Sequence, residues 1–137
     1  MFCVSTKGLY GAQALIEMAV RKDEGVLQVK DLSEKCHIPK TYLEQLFNRL
    51  RKAGIISSLR GNKGGYVLAK EPSEIYLLEI MEALEGEIEI SKNIDFNGAL
   101  KTVFDDTENA IKNCFNISLA ELADRELQLK ENVTFYI

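Results

Sequence analysis

Between Tyr42 and Lys70 the chain carries six basic side chains, Arg49, Arg51, Lys52, Arg60, Lys63 and Lys70, and after Glu44 it carries no carboxylate. Cations spread over residues 45–70 with no acid among them suit one kind of chemistry. They neutralise a polyanion and release its counterions. The whole chain is acidic, with a net charge of −4, so this stretch is a local departure. Residues 1–70 hold 12 Lys/Arg against 6 Asp/Glu, while residues 71–137 hold 5 against 15. Halves of opposite sign fit a division of labour in which the first half binds a polyanion. They fit as well an electrostatic match between the halves that needs no ligand.

Other chemistry has little to work with. The chain has one histidine, His37, and no Ser/His/Asp set that its spacing could bring together. The GNKGG tip at 61–65 lacks both the GK[ST] ending and the following helix of a phosphate loop. Catalysis is therefore not expected. The three cysteines, at 3, 36 and 114, are odd in number and far apart, which points to free thiols in a reducing cytoplasm. No apolar run approaches ~18 residues, so no membrane span is expected, and the opening MFCVSTKGLYGAQ does not read as a secretory leader.

The elements that must position the basic residues follow from periodicity. A first helix runs from Ser5, its N-cap, to about Lys22, with Leu9, Ala12, Ile16 and Ala19 along one face. A short second helix carries Val29, Leu32 and Cys36. After a tight turn at His37-Ile38, a third helix spans about 39–53 with the stripe Leu43, Leu46, Phe47 and Leu50, stopping at Gly54. The period then changes: IISSLR (55–60) and YVLAK (66–70) read as two strands joined by the Gly-rich tip. A fourth helix carries Leu77, Ile80, Met81 and Leu84 up to Gly86. Residues 87–97 give no element. A longer helix from about Gly98 shows Leu100, Phe104, Thr107, Ile111 and Cys114 as a heptad-like seam, and Ser118 with Glu121 forms a capping box for a last helix. The closing NVTFYI reads as an apolar strand or plug.

The fold class expected is mostly α with a small β-hairpin wing. Two helices separated by a short turn and followed by a hairpin is the order of a winged helix-turn-helix, whose second helix enters the major groove of duplex DNA. The acid-free stretch covers most of that helix and the whole wing, the surface that would face phosphates.

The segments STKGLYG, YLEQLFNRLRKAGIISSLRGNKGGYVLAK and LEIMEALEG resemble the Rrf2 family of bacterial transcription regulators over about residues 5–86. The resemblance implies a cytoplasmic homodimer that binds a palindromic site on double-stranded DNA. The chain would divide into a winged helix-turn-helix domain (1–86), a connecting segment (87–97) and a helical dimerisation region (98–137) whose long helix pairs with its twin. It implies base reading by Thr41, Tyr42, Glu44 and Gln45, with Glu44 accepting a hydrogen bond from cytosine. From the residues alone, Glu44 is equally an i,i+4 partner of Lys40. Arg60 would probe the minor groove. Gly61 and Gly64 would shape the wing tip, and Lys7, Arg49, Arg51 and Lys63 would meet the backbone.

Cluster-binding members of the family carry three cysteines after the fourth helix. Here that segment, EIEISKNIDFNGALKTVFDD, has neither cysteine nor histidine. An iron–sulfur cluster needs four ligands, mostly thiolates, so none is expected. The chain is similar instead to the cysteine-poor branch, which includes regulators of cysteine metabolism that sense through a partner enzyme. Three readings follow: a repressor whose DNA affinity is set by an effector or partner enzyme, an interaction module that has given up DNA, and a redox or metal sensor with unusual ligands.

Overall fold

The computed structural model describes residues 3–91 and 95–136, with side chains described up to residue 132. Six α-helices are present among them: α1 (Thr6–Val20), α2 (Val29–Cys36), α3 (Lys40–Lys52), α4 (Leu77–Glu85), α5 (Ala99–Cys114) and α6 (Leu119–Tyr136). Between α3 and α4 lies one antiparallel hairpin, β1 (Ile56–Leu59) and β2 (Gly65–Leu68), in register Ile56 to Leu68 and Leu59 to Gly65.

Each boundary has a local cause. Ser5 caps α1 through Oγ, which accepts from the Lys7 N–H at 3.2 Å. The α2–α3 turn is made by His37, whose left-handed backbone (φ 57°) lets its N–H and that of Ile38 reach the Ser33 carbonyl. The Ser33 hydroxyl returns the bond to the Ile38 carbonyl. Asn, Asp and His tolerate this conformation better than most side chains. Ser118 Oγ accepts from the Glu121 N–H at 3.1 Å and starts α6.

The core is one cluster. The α3 stripe of Leu43, Leu46, Phe47 and Leu50 is fully buried against Leu15, Leu32, Ile55, Ile80 and Leu84. On α1 the buried side is broader than the sequence pattern suggests. Ala14, Leu15 and Met18 are its deepest residues, whereas Leu9 is 56 % exposed. The expected face was rotated because the crossing with α4 is made by small residues. A Cβ on Gly11 would sit 2.3 Å from a methyl of Leu84.

The wing acquires a third strand segment. Leu27 exchanges both backbone bonds with Tyr66, N–H to carbonyl, at 3.0 and 2.8 Å. The Tyr66 ring meets Phe47 edge to face at 5.0 Å, tying the wing to the helix before it.

Two C-terminal expectations are corrected. NVTFYI is not a strand: α6 continues to Tyr136, and Ile137 lies outside the described residues. The expected seam of α5 splits into two. Phe104 and Ile111 are half-buried, Phe104 meeting Phe96 edge to face at 6.0 Å. Leu100, Val103, Thr107, Ala110 and Cys114 are exposed at alternating spacings of three and four. Steps of three and four lie on one broad side of a helix whichever residue starts them, so the spacing does not fix which side faces inward. Here that side is marked by the half-buried Phe104, Glu108, Ile111 and Lys112. No residue of α5 is buried.

A Cβ at position 65 would lie 2.4 Å from the Leu27 carbonyl oxygen, which is backbone and cannot swing away. Gly65→Ala is expected to break the Leu27–Tyr66 pairing and lower the unfolding free energy by about 1–3 kcal/mol, measured by urea denaturation.

Candidate nucleic-acid interface

Burying one stripe of α3 leaves the other side to solvent, and Thr41, Glu44, Gln45, Arg51 and Lys52 all lie on it, exposed. Tyr42 sits at the edge, half-buried. Its hydroxyl shares a 2.9 Å hydrogen bond with Thr6 Oγ1, and its ring meets Tyr10 edge to face at 6.0 Å. The start of α3 is thereby placed beside the first turn of α1, which carries the half-buried Lys7. Two parts of the sequence-derived site, 34 or more residues apart in the chain, thus come together.

On the wing, Arg60, Gly61 and Lys63 are exposed at the tip, and the Gly64 N–H closes the turn on the Gly61 carbonyl at 2.9 Å. No ion pair among the described residues engages Arg60 or Lys63, so both cations are presented to solvent. Arg51 donates to Asn48 Oδ1 at 2.8 Å on the same helix.

Two residues have other partners. Arg49 donates to the Leu84 carbonyl at 3.2 Å, bracing α3 on the last turn of α4. Glu44 lies 3.8 Å from Lys40, an exposed i,i+4 pair. Such pairs contribute about 0.3–0.5 kcal/mol, too little to hold Glu44 against a better partner. Sequence periodicity does not reveal Thr6, Tyr10 or Asn48 as neighbours of this surface, because each joins it through a single polar or edge-to-face contact.

Beneath the surface, Glu85 at the end of α4 is held by α1. Its Oε1 accepts from the Ser5 N–H at 2.9 Å, the Ser5 hydroxyl at 2.6 Å and the Gly8 N–H at 2.9 Å. Partial burial pushes the carboxyl up, but the bonds from Ser5 and Gly8, helped by the Lys7 charge, outweigh it and hold it below the ordinary value.

Residues 4–125 match the family described as Rrf2, iron-dependent transcriptional regulator. The chain belongs to the Rrf2 family. It is similar to the HTH-type transcriptional regulator IscR of Photorhabdus laumondii, 40 % identical over 89 residues, covering 65 % of this chain and 54 % of that protein. It therefore spans about half the length of that relative. The IscR of Serratia proteamaculans is 34 % identical over 131 residues, covering 90 % of this chain and 80 % of that one. Among solved structures, CymR, the global cysteine regulator of B. subtilis, superposes with a TM-score of 0.83 at 35 % identity. That match covers 91 % of this chain and 98 % of the other. These Rrf2 relatives are transcription regulators, not enzymes, and the winged-helix architecture is theirs.

The family's description names iron, and this chain offers three cysteines and one histidine as donors for it. Cys3 is near the N-terminus, Cys36 ends α2 and Cys114 ends α5. Among the described residues no three of His, Cys, Asp and Glu converge as a metal site. Burial, reinforced by Glu17, pushes the Cys36 thiol up, so thiolate is disfavoured there. These residues do not fit an iron–sulfur cluster held in the manner of a cysteine triad.

Glu85 supplies a pH prediction. Because its folded-state pKa is lowered, its stabilisation is present above the ordinary carboxylate range and is lost as pH falls through the lowered value. The parent is expected to lose stability more steeply with acidification than Glu85→Gln. Thermal melts from neutral pH down to about 3 check this, and equal slopes would remove Glu85 from the account.

Proposed function

We propose that the chain is a sequence-specific, DNA-binding transcription regulator, a repressor that binds a palindromic operator as a homodimer in the cytoplasm. The observation that carries this reading is the exposed side of α3 and the wing, where Glu44 is the one carboxylate from Pro39 to Lys70. In this reading α3 lies in the major groove. Thr41, Tyr42, Glu44 and Gln45 meet base edges, and Glu44 exchanges Lys40 for cytosine N4 or rejects other bases by repulsion. Arg60 enters an A·T-rich minor groove. Gly61 and Gly64 allow close approach, while Lys7, Arg51 and Lys63 contact phosphates. Arg49 adds positive charge but mainly braces α3.

Residues 1–86 form the DNA-binding domain, 87–97 the connection and 98–137 the dimerisation region. The exposed stripe Leu100, Val103, Thr107, Ala110 and Cys114 has the alternating three–four spacing that seats one helix on its twin. A two-fold axis there would present both recognition helices to the two halves of a palindrome. Among the described residues no helix is long and apolar enough to cross a membrane. Kinship with a cysteine regulator supports an effector or partner enzyme as the signal, with no cluster held by this chain.

The test is affinity selection of fragments of the source organism's DNA at near-physiological salt. One enriched palindrome is expected, with affinity falling steeply as salt rises, and recovery of bulk DNA alone would overturn the reading. On that operator, Arg60→Ala should cost about 1–3 kcal/mol and relax the preference at A·T positions. Val103→Glu should convert the dimer to a monomer in sedimentation, because a charge within the stripe would have to be buried unpaired.

A further inference from the structure

Four contacts close a circuit around the recognition helix. Glu85 of α4 holds Ser5 and Gly8 of α1. Thr6, between them in sequence, holds the Tyr42 hydroxyl of α3. Tyr10, one turn on, supports the same tyrosine ring. Arg49, two turns along α3, returns to Leu84, the residue before Glu85. The last turn of α4 therefore grips both α1 and α3, and the first turn of α1 grips α3 in its turn. Gly8 fits because it is small: a Cβ there would come within 2.9 Å of Glu85 Oε1 and of Met81 Sδ.

A carboxylate at this place is unexpected on charge alone. The start of α1 offers backbone N–H groups and Lys7, both suited to a phosphate. Glu85 occupies two of those N–H groups itself. An acid beside a DNA-binding surface should repel the ligand. Its three hydrogen bonds instead fix the register of the turn from which Thr6 and Lys7 project.

We propose that Glu85 is a positioning residue for DNA recognition: it sets the first turn of α1 so that Lys7 reaches the backbone and Thr6 orients Tyr42. This rests on the DNA-binding reading above.

The two views of Glu85 predict opposite signs. As a repelling charge, its loss should tighten binding in Glu85→Ala and Glu85→Gln alike. As a positioning residue, its loss in Glu85→Ala should weaken operator binding by about tenfold, within the range that coupled neighbours show. Glu85→Gln keeps an oxygen acceptor and should stay within about threefold of the parent. Because the Lys7 contact would be lost with the turn, the slope of log affinity against log salt should shrink by about one in Glu85→Ala. Lys7→Ala should then add little in that background.

Fluorescence anisotropy with the full chain and its selected operator reads all of these. Ser5→Ala, which leaves the Glu85 charge and both backbone donors in place, gives a second route should Glu85→Ala fail to fold. It is expected to weaken binding by a few-fold. Parent-like or tighter binding by Glu85→Ala, or by Ser5→Ala where the first variant does not fold, would overturn the inference. An unchanged salt slope would do the same. If the parent itself selects no operator, it is the DNA-binding reading that fails.

Discussion

A helix with four of its thirteen residues buried has only one side left to show, and α3 is organised by that fact. Leu43, Leu46, Phe47 and Leu50 fix its rotation about its own axis, because turning the helix would bring charged side chains into the core. The exposed side then has to be the side with Thr41, Glu44, Gln45, Arg51 and Lys52. The wing depends on the same burial through Phe47, whose ring receives Tyr66 and so anchors β2, which Leu27 in turn pairs from outside. Remove the stripe and neither the angle of the helix nor the place of the hairpin is specified.

Charge is laid over this scaffold in a consistent way. The basic first half supplies the face of α3 and the wing, while the acidic second half supplies α4 to α6. Only one side chain of the described residues is both charged and fully buried, Glu17, and it lies 3.8 Å from Lys130 of α6, across the boundary between the halves. Two exposed pairs cross the same boundary with the first half supplying the cation, Lys22 with Glu71 at 3.3 Å and Lys70 with Glu79 at 3.4 Å, so the electrostatic match between halves exists at a few points. Of the acid-free residues 45–70 it engages Lys70 alone, while Arg51, Lys52, Arg60 and Lys63 remain facing solvent.

Much of this was legible in the sequence. The α3 stripe, the hairpin, the Ser5 and Ser118 caps and the tight turn at His37 each have a short-range chemical signature, and each lies where that signature puts it. Three things were not legible, for different reasons. Leu9 looked like a core residue because apolar spacing cannot report how closely two helices approach, and Gly11 against Leu84 decides which side of α1 is inside. Phe104 and Ile111 looked like part of one seam because spacings of three and four serve an inner and an outer side almost equally well. The bonds of Glu85 with Ser5, Thr6 with Tyr42 and Arg49 with Leu84 join residues 35 to 80 apart. No periodicity encodes a polar contact of that kind. The site residues whose types announced their chemistry could be named in advance, whereas the side chains that support them could not.

The outer stripe of α5 has a consequence for how much protein the cell must make. A sixteen-residue helix with no fully buried residue has the half-buried Phe104 and Ile111, the bond from the Ile90 N–H to Glu108 and i,i+4 pairs such as Lys101 with Asp105 to keep it wound. Isolated helices of about that length are marginal in water. On the dimer reading its order is then drawn from a second copy and rises with concentration, as the square of the monomer when copies are few. Newly made chains would accumulate without effect until they meet, and then act together. Dilution at cell division would reverse this with no signal at all, giving the regulator a threshold in its own abundance.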